Sequence, residues 1–132
     1  MSYLVLSISW MIVIFAFSHQ AYSGAITEEY LHDANIPIRK LAHMAEFGIL
    51  YFLYLRTIGE SRLSGKISLR SASLLAFVLT VAYASLDEWH QSFVPGRSSC
   101  LRDVMVDSLG ALIALVGCRF GTQLLAKSRK HS

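Results

Sequence analysis

The most continuous apolar run in the chain is LRSASLLAFVLTVAYASL, residues 69–86. Its polar members are one arginine, three serines and one threonine, and most of the rest are leucine, valine and alanine. A run this dense lacks the wide polar stripe of a soluble surface helix. A membrane-spanning helix needs about 20 mostly apolar residues. The run therefore predicts a transmembrane helix.

Three further apolar blocks have similar character, at residues 3–17, 41–58 and 104–118. The whole chain of 132 residues is 54% hydrophobic and only 16% charged, which is low for a soluble domain. We therefore predict an all-α membrane protein with one domain over residues 1–132. It would be a four-helix transmembrane bundle, with helices at about 3–20, 40–58, 68–87 and 102–119.

Two other interpretations stay open at this point. The first block could be a cleaved signal peptide, because Ser23-Gly24-Ala25 offers small residues for cleavage. The absence of lysine and arginine before Arg39 argues against it. The chain could also be a soluble bundle of buried helices, although its apolar runs are unusually dense.

The distribution of charge predicts how the bundle is oriented. With four spans, the second connection and the C-terminal tail lie on one side, which carries eight basic residues and one acid. The other side carries four basic residues and eight acids. Because cytoplasmic loops are enriched in lysine and arginine, both termini are predicted to be cytoplasmic. We therefore attribute the net charge of +3 to membrane topology, and we expect no nucleic-acid partner.

Polar residues interrupt the predicted helices at one level, the external end. Ionisable groups at membrane depth are costly, so they usually face a bundle interior and pair there. Several share a helix face through spacings of three or four residues. We predict an externally open pocket with these ligand-binding residues: Lys40, His43, Glu46, Asp87, Glu88, Gln91, Arg97, Ser98, Asp103 and Asp107.

The connection before the last helix contains the turn signal Pro95-Gly96, followed by serines able to cap a helix. A helix N-terminus beside Arg97 and Arg102 would suit an anion. The alternative is a structural turn whose arginines pair with nearby carboxylates.

Three segments together resemble the VanZ-like family of small bacterial membrane proteins. They are Phe17-Ser18-His19-Gln20, then Lys40-x-x-His43-x-x-Glu46-Phe47-Gly48, and the run from Asp87 to Ser98 followed by Asp103, Asp107 and Gly110. The resemblance covers about residues 10–118. Phe47 stands where the family pattern has tyrosine, and His19 where it has a second serine.

The resemblance implies a multi-pass protein of the bacterial inner membrane. The founding member is linked to teicoplanin resistance, but most members lie outside resistance clusters. We expect an accessory protein that binds a cell-envelope lipid or anionic head group. The expected partner is a membrane lipid or cell-wall precursor, and a homo-oligomer or a membrane-protein partner is also possible.

Two alternative functions use the same residues. An enzyme acting on a phosphorylated lipid would use acid–base or metal-assisted chemistry, with catalytic candidates His43, Glu46, Asp87 and Glu88. The cofactor is unknown, and no metal site is assigned. A proton-coupled transport component is the second alternative, although four short helices are few for a transporter.

Overall fold

The computed structural model describes residues 2–19, 35–61, 66–95 and 101–128. Within these ranges it contains four helices: α1 (Tyr3–Ser18), α2 (Asn35–Glu60), α3 (Leu69–Gln91) and α4 (Leu101–Ser128). The predicted all-helical fold class is confirmed.

The helices extend beyond the predicted apolar blocks. Helix α2 begins at Asn35 rather than near residue 40, α3 continues through Gln91, and α4 continues through Ser128. Hydropathy marks the apolar part of a helix, whereas backbone hydrogen bonds also continue through its polar ends. The start of α3 is capped by Ser68, whose side chain accepts a hydrogen bond from the Ser71 backbone N–H at 3.1 Å.

Helices α3 and α4 are the two helices that are long and apolar enough to cross a membrane, over Leu69–Gln91 and Leu101–Thr122. Only 28% and 17% of their most apolar windows are buried inside the protein. Leucine and valine side chains on both helices face outward instead. This surface argues against a soluble bundle, in which such helices would be buried. Helix α1 is apolar but has only 16 residues.

Helix α2 is central, because it packs extensively against each of the other three helices, whereas α3 meets α1 only over a small contact. It runs antiparallel to α1: the Tyr3 backbone N–H donates to Glu60 Oε2 at 2.9 Å, and the Ser7 and Thr57 hydroxyls hydrogen bond at 2.9 Å. Helix α1 is also joined to α3, through Tyr83, whose hydroxyl donates to the Met11 carbonyl at 2.7 Å. These bonds make α1 an integral part of the bundle.

Helices α2 and α4 run parallel and share the widest contact in the described bundle. The backbones approach closely at Gly110, where a Cβ atom would overlap the carbonyl oxygen of Met44. A Cβ on Gly48 would lie 3.3 Å from the Gly110 carbonyl oxygen and 3.9 Å from the Ala114 Cβ. Small residues at such a crossing let two membrane helices pack backbone to backbone. Gly110 and Ala114, four residues apart on α4, are both part of this close approach.

Replacing Gly110 with alanine is expected to separate α2 from α4, because the new methyl group has no space beside Met44. Overpacking of this kind costs about 1–3 kcal/mol. The midpoint of thermal unfolding in detergent should fall by several degrees. Gly117→Ala is the matched control, since nothing lies within 4 Å of a Cβ at that position on the same helix. Equal unfolding midpoints for the two variants would contradict the close approach.

Candidate functional site

Four helix termini meet at one end of the bundle, here called the polar end. They are the C-terminus of α1, the N-terminus of α2, the C-terminus of α3 and the N-terminus of α4. The predicted site residues in the described chain belong to this end: Lys40, His43, Glu46, Asp87, Glu88, Gln91, Asp103 and Asp107. Arg97 and Ser98 lie outside the described residues. Arg102 is exposed in the first turn of α4.

One group of polar side chains bridges α2 and α4. The Lys40 Nζ atom lies 3.8 Å from Asp103 Oδ1, and His43 Nδ1 lies 3.7 Å from Asp107 Oδ1. His43 Nδ1 also lies 4.0 Å from Glu46 Oε2 on its own helix. The two helices run parallel, so a step of one turn along α2 matches a step of one turn along α4. This match in register produces the two cross-helix pairs.

A second group joins α1 to α3. Asp87 Oδ2 accepts hydrogen bonds from the Ser18 hydroxyl and from the Gln91 side-chain amide, both at 2.7 Å. The Gln91 amide also donates to the Ser18 oxygen at 3.2 Å. The spacing of four residues between Asp87 and Gln91 places both side chains on one helix face, as predicted.

Three carboxylates of the site are buried. Asp107 is 1% exposed, Asp87 is 3% exposed and Glu88 is 5% exposed. Asp87, Glu88, Asp103 and Glu46 all lie within electrostatic range of Asp107. Carboxylates from α2, α3 and α4 therefore act electrostatically on Asp107, which links the two groups of polar side chains.

Two of the buried carboxylate oxygens, Asp87 Oδ1 and Asp107 Oδ2, have no hydrogen-bond partner among the described residues. A buried carboxylate oxygen without a donor is unfavourable in an apolar environment. The site can therefore accept hydrogen bonds from a ligand that carries hydroxyl or ammonium groups, or from water. Within the described residues, no group of three or more histidine, cysteine, aspartate or glutamate side chains could hold a metal ion.

The structure adds a histidine pair that the predicted site did not include. His19 Nδ1 and His90 Nε2 lie 3.2 Å apart, and both rings contact Phe15. Ser18 is likewise an addition, since it bonds directly to Asp87. The sequence signals for these residues are their position at the polar helix ends and their place in the segments that resemble the VanZ-like family. Helical spacing relates residues of the same helix, whereas these contacts join residues of different helices, so spacing does not predict them.

An apolar groove begins within one helical turn of His43 and Asp107. It has a volume of about 410 Å³ and runs along the junction of α2 and α4. The small residues of the close helix approach form its floor. Larger apolar side chains form its walls, and its lining comprises Met44, Ala45, Gly48, Ile49, Phe52, Gly110, Ile113 and Ala114.

The VanZ/LLP1 family model matches residues 3–122 of the chain. The chain belongs to the VanZ/LLP1 family. No curated protein and no solved structure matches it. Family membership and the two candidate spans together indicate a membrane protein. The family match includes α1 to α3, most of α4 and the complete set of predicted site residues, so the polar end lies within the matched region.

Ser18→Ala is expected to destabilise the bundle, because it removes a buried hydrogen bond to the Asp87 carboxylate. Hydrogen bonds to charged groups contribute about 1.5–3 kcal/mol. Ser85→Ala is the matched control, since the exposed Ser85 hydroxyl bonds only to the Val81 carbonyl of its own helix. Thermal unfolding in detergent should separate the two variants by several degrees. If Ser18→Ala unfolds together with Ser85→Ala, the bond between α1 and α3 does not contribute to stability.

Proposed function

We propose that this VanZ/LLP1 protein is an accessory factor of the bacterial cytoplasmic membrane that binds the head group of a cell-envelope lipid at its polar end. The proposal rests on two different environments that lie next to each other along the bundle. A buried polar network lies at the helix ends, and an apolar groove of about 410 Å³ begins one turn below it. A lipid has the same succession of a polar head and an apolar chain.

The charges of the polar end favour a head group with both donors and an anionic part. Five carboxylates surround the site, and two buried oxygens, Asp87 Oδ1 and Asp107 Oδ2, are ready to accept hydroxyl or ammonium donors. An anionic head group alone would be repelled by this arrangement. Lys40 lies beside Asp103, Arg102 lies in the first turn of α4, and Arg97, in the sequence before α4, would supply further positive charge.

The proposal includes a topology of four spans with both termini in the cytoplasm and the polar end outside. The opposite end of the bundle carries Arg56, Arg70 and Arg119, which agrees with a cytoplasmic location. The 16 residues of α1 rise about 24 Å, less than the roughly 30 Å of a hydrocarbon core. Helix α1 would therefore span with the help of flanking residues or local thinning of the bilayer.

A reporter fused after Ser132 tests this topology. Green fluorescent protein should fluoresce in that position, because it folds in the cytoplasm. Alkaline phosphatase fused there should be inactive, because it requires export. An active alkaline phosphatase fusion together with a non-fluorescent green fluorescent protein fusion would contradict the proposed orientation.

Lipid binding is tested by native mass spectrometry of the protein extracted in mild detergent. We expect a lipid adduct on the wild type and its loss by about tenfold or more in Asp107→Asn, which replaces an unpartnered carboxylate oxygen with an amide while keeping the shape of the side chain. Glu60→Gln is the matched control, because it removes a carboxylate at the opposite end of the bundle. Both variants must keep the thermal unfolding midpoint of the wild type to be interpreted.

The same adduct on Asp107→Asn and the wild type would contradict binding at the polar end. In that case the buried carboxylates would form a structural network. Adducts equally reduced in Asp107→Asn and Glu60→Gln would place lipid binding elsewhere on the surface. The head group is identified from the mass of the released lipid, and a cell-wall precursor there would connect the protein with the glycopeptide resistance associated with its family.

An enzymatic role is the second candidate, favoured by the position of His43 between two carboxylates, at 3.7 Å from Asp107 and 4.0 Å from Glu46. A histidine so oriented is suited to general acid–base catalysis. In the same samples, a phosphorylated isoprenoid would then be converted by the wild type and not by His43→Gln. If the wild type does not convert the substrate, the enzymatic role is contradicted and lipid binding stays as the proposed function.

Transport has less support, because α3 carries no charged side chain between Arg70 and Asp87.

A further inference from the structure

A second cavity lies at the other end of the bundle, far from the polar end. It has a volume of about 350 Å³ and is formed where α2, α3 and α4 meet. Two arginines from neighbouring helices line it, Arg70 on α3 and Arg119 on α4. The rest of its lining is apolar or neutral, with no carboxylate: Leu55, Leu69, Ser73, Cys118 and Thr122. A cavity of this volume is in the range of small-ligand sites.

The positive charge of this cavity is not neutralised by the described part of the protein. Neither Arg70 nor Arg119 forms an ion pair with a described carboxylate, and both side chains are exposed. The third described arginine at this end, Arg56, is likewise exposed and has no ion pair with a described carboxylate, but its contacts differ. Arg56 lies over the Tyr3 ring at 4.8 Å and donates to the Tyr3 hydroxyl at 3.2 Å, and it does not line the cavity. Two guanidinium groups that line one cavity without a described carboxylate partner attract an anion.

The wall of the cavity also contains buried polar groups. Ser73 is buried and shares a 2.6 Å hydrogen bond with the Tyr51 hydroxyl, which lies within electrostatic range of Arg119. Leu69 and Arg70 form the first turn of α3, so the positive end of the helix dipole adds to the arginine charge. The apolar side chains of Leu55 and Leu69 complete the lining.

We infer that this cavity is a binding site for a phosphate group, and that the phosphate belongs to an anionic phospholipid of the membrane leaflet at this end. Guanidinium groups bind phosphate through paired, charge-assisted hydrogen bonds. Basic pockets between membrane helices on the cytoplasmic side are suited to anionic lipid head groups. The leucines beside the arginines would contact the first part of the acyl chains. This site is separate from the one in the proposed function.

The test uses the full chain reconstituted in nanodiscs of phosphatidylcholine that contain a fraction of phosphatidylglycerol. Native mass spectrometry after gentle release should show retained phosphatidylglycerol on the wild type. Retention should fall about tenfold in Arg70→Gln or Arg119→Gln, which corresponds to the loss of one charge-assisted hydrogen bond. It should be abolished in the double variant. Arg56→Gln is the matched control and should retain the lipid, because it removes the same charge at the same end without altering the cavity.

A separate arm distinguishes the two sources of phosphate. Inorganic phosphate is titrated against the detergent-solubilised protein, and the thermal unfolding midpoint is followed. Stabilisation by millimolar phosphate that depends on Arg70 and Arg119, without retention of phosphatidylglycerol, would overturn the lipid assignment in favour of a soluble phosphate. Equal retention of phosphatidylglycerol by the double variant and Arg56→Gln would overturn the site itself. Asp107→Asn should leave this retention unchanged, so failure here is distinct from failure at the polar end.

Discussion

Because Gly110 has no side chain, the backbones of α2 and α4 touch beside Met44, and the arrangement of the polar end depends on this contact. The contact holds two parallel helices in register one turn from their N-terminal polar residues. His43 thereby faces Asp107, and Lys40 faces Asp103. A wider separation of the helices would leave the buried Asp107 carboxylate without its neighbours from α2. The same approach forms the floor of the apolar groove, since only small residues separate the two backbones.

The burial of several carboxylates at one end imposes a second constraint. Asp87 is supported by Ser18 and Gln91, so part of its desolvation cost is offset by hydrogen bonds. Asp107 depends on the imidazole of His43, at a distance too long for a strong hydrogen bond. A bundle selected only for stability would replace such groups with apolar residues. Their presence in a cluster beside an apolar groove is the physical basis for proposing a ligand at this end.

The two ends of the molecule have opposite electrostatic character. Carboxylates dominate the polar end, whereas uncompensated arginines line the cavity at the other end. Central α2 connects the two regions, with His43 and Glu46 near its start and Leu55 and Arg56 near its end. The apolar helix surfaces between them face outward, as expected for contact with lipid chains. A bilayer would therefore meet one acidic and one basic face of the same small bundle.

Hydropathy and residue spacing were sufficient to predict an all-helical membrane protein, the level at which the polar residues lie, and the same-helix pair of Asp87 and Gln91. These features depend on neighbours along one helix, where the period of 3.6 residues relates position to direction. The central position of α2, the bond from Ser18 to Asp87, the histidine pair and the arginine cavity depend on contacts between helices. Such contacts arise from the packing of side chains distant in sequence, such as Gly110 against Met44, and no periodicity within one helix specifies them.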